Sequence, residues 1–169
     1  LGDRGIFDAA AFRRAKLAAV ILITAMGVPM LWMGEEFGEH KRKSQTVIQP
    51  KKIAWALLDR EENRDLFEYY KSLIALRKQS PALQSDNIEF FHENPEAKVF
   101  AYLRTQDTSS PVVVIANFSD QNFVGYRIPN LDNGKWQDYF SKSEFEATEG
   151  NLVIDLPEYE AKVLVKKDG

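Results

Sequence analysis

The stretch "GVPMLWMGEEFG", Gly27 to Gly38, decides the fold. Its first half, "PMLWM", is a short continuous apolar run without the alternation of a half-solvated strand. It reads as a strand buried on both faces, with Trp32 in the core. What precedes it is helical. Asp8 is placed to cap "AAAFRRAKLAAVILITAM", a segment rich in alanine and leucine. Arg13, Arg14 and Lys16 keep the start of this helix wet. Its second half is apolar nearly all round and must be covered by other protein. Gly27 suits a left-handed cap, and Pro29 forbids continuation. Helix, tight turn and buried strand make one piece of an α/β fold. The run from Leu17 to Met33 is at the short limit for a membrane span. Gly27 and Pro29 break it, so a buried helix turning into a buried strand is the better reading.

The second half of the stretch raises a chemical question, because Glu35 and Glu36 are adjacent carboxylates at the end of a strand. A general acid and base must converge on one reacting bond. Neighbouring residues leaving a strand point in opposite directions. Glu35 and Glu36 are therefore a poor acid/base pair. A structural role at the end of the strand is expected for Glu36.

Residues 38–52 read as a solvated loop carrying Lys41, Arg42, Lys43, Lys51 and Lys52. A second helix follows. Asp59 and Glu62 have capping-box spacing, and Leu66, Phe67, Tyr70, Leu73, Ile74 and Arg77 share one face. Ser80-Pro81 ends it. After Leu83 the pattern changes. "IEFFH", "KVFAYLR", "PVVVIANFS", "FVGYRI", "KWQDYF", "LVIDL" and "KVLVKK" are short, rich in β-branched and aromatic residues, and separated by turn chemistry such as Asp132-Asn133-Gly134. Seven such strands imply an antiparallel sandwich or barrel. The expected division is 1–82, an α/β remnant of two helices and one strand, and 83–169, the sandwich. The first part is incomplete by itself, since a single apolar strand leaves its hydrogen-bonding edges open. It reads as the tail of a larger α/β domain.

Composition narrows the function. The chain has 169 residues, 44% hydrophobic and 28% charged, which suits one domain or two small ones with a real core. Net charge is -3 with the basic residues spread out, which argues against nucleic acid as the main partner. There is no cysteine, so disulfides and thiolate metal sites are excluded. Only His40 and His92 are available as imidazole ligands, so no metal and no cofactor is expected. No signal peptide is visible, but the chain opens on Leu1 rather than methionine, so that observation says little about a parent protein.

"AAVILITAMGVPMLWMGEEFG" resembles the last helix–strand unit of the α-amylase family barrel, whose Gly-x-Pro, apolar run and Gly-x-Glu are carried here by Gly27, Pro29, Gly34 and Glu36. "IAWALLDREENRDLFEYYKSLIALRKQSPAL" is similar to the helix that closes that barrel. "KVFAYLR", "VVVIANFSD", "GKWQDYF" and "LVIDLPEYEAKVLV" are similar to the C-terminal sandwich of branching enzymes and malto-oligosyltrehalose hydrolases. One departure is "YFSKS" after Trp136, where branching enzymes usually continue to an Asn-Ser/Thr-Asp tripeptide.

The resemblance implies the tail of a (β/α)8 barrel followed by an antiparallel β-sandwich, in an enzyme acting on α-1,4-glucans by hydrolysis or transfer with retention. The family's aspartate nucleophile, glutamate acid/base and second aspartate belong upstream of Leu1. No segment here matches their motifs, so no catalytic residue is assigned and the isolated chain is expected to be inactive. Glu35, Glu36 and Trp55 are the candidate substrate contacts at the functional end of the barrel. Trp136 is expected in the sandwich core, Tyr69, Tyr70, Phe90 and Phe91 in the core or at the interface, and both histidines in solvent. The expected partner is an α-glucan, the expected location cytoplasmic, and the isolated chain is expected to self-associate through exposed barrel surface. Two other readings compete. One is a free-standing carbohydrate-binding sandwich, which needs exposed coplanar aromatics. The other is a non-enzymatic protein that dimerises through its apolar helix surface.

Overall fold

A computed structural model describes residues 8–40, 52–107 and 109–167. Helix α1 runs Ala9–Thr24, α2 Glu61–Gln79, and the short α3 Pro81–Gln84. Single 3-10 turns form at Glu35–Phe37 and Trp55–Asp59. Eight strands follow: β1 Ile88–Asn94, β2 Val99–Arg104, β3 Val112–Asn117, β4 Phe123–Pro129, β5 Gly134–Asp138, β6 Glu144–Ala147, β7 Asn151–Leu156 and β8 Ala161–Lys166. Among the described residues every strand pairing is antiparallel.

Six strands make one sheet in the order β1-β2-β3-β8-β5-β6, and β4 and β7 make a separate ribbon. The large sheet is covered on both faces. Val99, Ala101, Val113, Ile115, Trp136 and Leu164 meet the ribbon's Ile128, Leu152, Ile154 and Leu156. On the opposite face Tyr102, Val112, Val114, Ala116 and Val163 meet α1 and α2 through Leu17, Val20, Ile23, Leu66 and Leu73. The molecule therefore has three layers, and the sheet is the middle one. This explains "VVVIAN": β3 is central and every residue of it is buried, so its sequence cannot alternate.

The first helix begins where its cap predicts, with the Ala11 N–H donating to the Asp8 carboxylate at 2.9 Å. Its far end is tied down by two arginines. Arg77 on α2 donates to the carbonyls of Ile23 (2.7 Å), Ala25 (2.8 Å) and Gly27 (2.5 Å). Arg104 on β2, which is 0% exposed, donates to the Thr24 carbonyl and to those of Asn87 (2.9 Å) and Ser85 (2.6 Å). A helix C-terminus leaves carbonyls without intrahelical partners and carries partial negative charge, so guanidinium groups suit it.

Three expectations need correction. The capping box at Asp59 and Glu62 does not form. Arg60 is the cap residue of α2 and makes no side-chain cap hydrogen bond, because Asp59 is consumed in the preceding 3-10 turn. An eighth strand, β6, "EFEA", appears at the sheet edge, where charge is the normal protection against further pairing. The third correction matters most. Residues 28–32 are irregular, and among the described residues no strand pairs with them. Met30 is 76% and Trp32 68% exposed, so Trp32 is not in the core. The apolar run has no neighbouring strand to bond or bury it, and an unpaired strand is not a stable element in water.

Candidate functional site

The "GEEFG" turn is fixed by its glycines and one aromatic anchor. Gly34 has φ 92° and Gly38 φ 74°, both in the left-handed region. The Glu39 N–H closes back on the Gly34 carbonyl at 2.8 Å, and the Gly38 N–H on that of Glu35 at 3.0 Å. Phe37 between them is wholly buried. Its carbonyl accepts from the buried Asn63 side chain of α2 at 2.7 Å. The turn therefore rests on the first turn of α2.

This anchoring sets where the glutamates go. The Glu35 carboxylate accepts from the Trp32 N–H at 3.2 Å, and that of Glu36 from the Gly34 N–H at 2.9 Å. Both act on Tyr70 of α2. Burial first, then the charges of Glu35 and Glu36 and a hydrogen bond to Glu35, push its hydroxyl well above the ordinary phenol value. Both carboxylates thus order their own turn against α2. Across the segment from residue 41 to 51, the Ala54 N–H donates to the Glu39 carboxylate at 2.8 Å. Trp55 then sets its ring 5.6 Å from that of Phe37 and stays 58% exposed.

Of the three sequence-predicted site residues, Glu35 and Glu36 share this turn and Trp55 reaches it through Phe37. Glu35, Glu36 and Trp55 lie around Phe37, and Trp32 joins them on the exposed side. Trp32 meets Glu35 only through its backbone N–H, and Trp55 meets Phe37. Of the expected basic loop, Lys41, Arg42, Lys43 and Lys51 lie outside the described residues, and Lys52 is exposed. Elsewhere the placements vary. Trp136 is 1% exposed and in the sandwich core. Tyr70 is buried and Tyr69 partly so, but Phe90 is exposed on the sheet. His92 is half-buried rather than solvated. Its Nε2 lies 3.0 Å from the Tyr126 hydroxyl, and burial holds its pKa below the usual imidazole value. No described helix is long and apolar enough to cross a membrane.

This arrangement, two helices on one face of an antiparallel sandwich with an ordered Gly-Glu-Glu turn at one end, has relatives. Residues 88–163 match the domain family described as Maltogenic Amylase, C-terminal domain. Neopullulanase 2 of Thermoactinomyces vulgaris is 28% identical over 149 residues, covering 88% of this chain and 25% of that protein. Over most of its length the chain is therefore similar to members of the α-amylase family. A 1,4-alpha-glucan branching enzyme GlgB of Bacillus mycoides is 31% identical over 124 residues, covering 69% of this chain and 19% of that protein. Among solved structures, AmyP in complex with maltose overlays on 96% of this chain and 37% of its own, with TM-score 0.74 and 20% identity. Ttha1563 from Thermus thermophilus overlays on 92% of this chain and 31% of its own, with TM-score 0.71 and 24% identity. These two establish the likeness of fold. The chain spans a quarter or less of the length of the curated relatives it matches first.

Sequence reasoning missed a second group of residues. Tyr69, Asp138 and Tyr159 border a cavity between the helices and the sandwich. They come from three distant segments, and no local pattern joins them.

Proposed function

We propose that this chain is the C-terminal portion of an α-glucan-active enzyme of the α-amylase family, working by retaining hydrolysis or transfer at α-1,4-glucosidic bonds. In this reading residues 1–82 are the last helix, strand and helix of a (β/α)8 barrel. Residues 83–169 are the sandwich that braces it. One observation carries the reading. Val28, Met30, Trp32 and Met33 are exposed apolar residues in a segment without a pairing strand, between two helices that pack on each other and on the sheet. Burial of such a run needs strands that the described residues do not supply. The overlay on AmyP supports it, since coverage of 96% includes the helices as well as the sandwich.

Within the whole enzyme, Glu35, Glu36 and Trp55 are the glucan contacts of this chain. In the completed barrel of this reading they sit at the strand end where that fold places its chemistry. The two glutamates order the rim and accept sugar hydroxyls, and the indole of Trp55 stacks on a pyranose face. The catalytic carboxylates are supplied by other parts of the enzyme, which acts in the cytoplasm. The isolated chain self-associates through its open apolar segment, burying Met30 and Trp32 against a second copy.

Incubating the chain with maltodextrin tests this, and no release of reducing ends is expected. Hydrolysis by the chain alone that is abolished by Glu35→Gln or Glu36→Gln would overturn the reading, because the acid and base would then lie within these residues. Retention of the chain on insoluble starch, without any association between copies, would favour the free-standing binding module instead.

A further inference from the structure

Where α1 and α2 meet the sandwich they leave a cavity of about 240 Å³. Arg13 and Lys16 of α1, Tyr69 of α2, Asp138 at the end of β5, and Tyr159 and Glu160 before β8 border it. It is distinct from the Glu35–Glu36 turn, which rests on Asn63 and Tyr70 of α2.

The charges around this cavity are paired except that of Asp138, whose carboxylate accepts hydrogen bonds from Ser141 and from the Val163 N–H. Arg13 bonds Glu158 at 2.5 Å, Lys16 bonds Asp65 at 2.5 Å, and Lys162 bonds Glu160. A charged ligand would have to break one of these pairs. One buried donor and one hydroxyl of a half-buried ring have no acceptor among the described residues. The Nε–H of Arg13 is buried without an acceptor there. The Tyr69 hydroxyl makes no hydrogen bond to them, although its ring is held against Phe140, with centroids 4.1 Å apart and planes 17° apart. Buried polar groups are nearly always bonded, to protein or to an occupant. Burial, with the charges of Asp138, Glu160 and Asp65, also keeps the Tyr69 proton on, so this hydroxyl remains a donor.

The occupant that fits must therefore accept from Tyr69 and Arg13 and donate to the spare lone pairs of Asp138 and Glu160. It must also carry no net charge and lie against the phenyl and phenol edges of Phe140 and Tyr159. Hydroxyl groups do both, accepting and donating at one atom. The volume is below the roughly 300–1,000 Å³ of sites for drug-sized ligands, which leaves room for one sugar ring.

We infer that this cavity is a subsite for one neutral pyranose unit. With the α-glucan reading above, on which the choice of sugar rests, that unit is glucose. It arrives as free monosaccharide or as the end of a glucan chain.

The test titrates the full chain with glucose and with maltotriose, following backbone amide resonances. Saturable shifts at Ser141, Tyr159 and Ala161 are expected. Glucose alone identifies free monosaccharide, and both sugars identify a chain end. Tyr69→Phe removes the hydroxyl but keeps the ring on Phe140. It is expected to weaken binding about ten-fold while the urea midpoint stays near that of the parent. Val153→Ser, exposed on strand β7 of the ribbon, leaves binding unchanged. The inference is overturned if neither sugar gives saturable shifts at those amides, which leaves ordered water as the occupant. It is also overturned if the shifts at those amides keep the parent's affinity in Tyr69→Phe, since the sugar would then not be held by this cavity's donors. Either failure leaves the enzyme reading standing, because that reading depends on the hydrolysis result and not on this cavity.

Discussion

Single residues hold the two halves together, and Arg104 does most. Among the described residues its buried guanidinium has no carboxylate in hydrogen-bonding contact, and burial lowers its pKa. What stabilises it is a set of carbonyls from the end of α1 and from residues 83–87. Arg104→Met is expected to cost about 3 kcal/mol in urea unfolding, because several buried carbonyls lose their donor at once. Arg104→Lys should rescue little, since an ammonium cannot span these directions. Trp136→Ala should cost about 3–5 kcal/mol, the range for emptying a large aromatic site. In dilute, unassociated chain Trp32→Ser should leave the midpoint unchanged, because Trp32 is exposed in the single copy. His92 gives a pH signature. Its folded-state pKa lies below its unfolded one, so the unfolded chain binds more protons between the two. Its contribution is fully present above about pH 6.5 and declines as pH falls below that value. Urea midpoints at about pH 7.5 and about pH 5.5 should differ more in the parent than in His92→Gln.

At the scale of elements, the sequence was legible wherever local chemistry agreed with tertiary contact. The Asp8 cap, the stop at Ser80-Pro81 and the continuous run of β3 were each read from their residues, and each has a contact that explains it. Asp8→Ala should cost about 1 kcal/mol. Legibility failed where local pattern and available partners disagreed. "PMLWM" has the composition of a buried strand, but no described strand lies beside it. β6 has two glutamates in four residues, so its edge position was invisible to a hydrophobic pattern. The placement of Glu35, Glu36 and Trp55 around Phe37 was partly legible, since the glycines announce a turn. The role of Asn63 as its anchor was not, because an asparagine within a helix gives no sign of which carbonyl it meets. Gly34→Ala tests that turn. Its φ of 92° is strained for any side chain, and the new methyl would collide with Glu39. A loss of about 1–2 kcal/mol is expected, with Trp55 fluorescence shifting as Phe37 moves.

For the whole molecule, two well-packed cores stand beside one open apolar edge. Met26, Val28, Met30, Trp32 and Met33 are exposed together within residues 26–33. Isolated surface hydrophobics need no explanation, but a contiguous group marks a surface meant for other protein. Sedimentation of the chain should show concentration-dependent association that persists at high salt, as apolar contact requires. The double substitution Met30→Ser and Trp32→Ser should reduce it. The central claim, that this chain completes a glucan-active barrel, is tested most directly by the coding sequence immediately before Leu1. The account predicts a continuous reading frame holding strand and helix patterns, with an aspartate, a glutamate and a further aspartate at successive strand ends. A start codon adjoining Leu1 would contradict it.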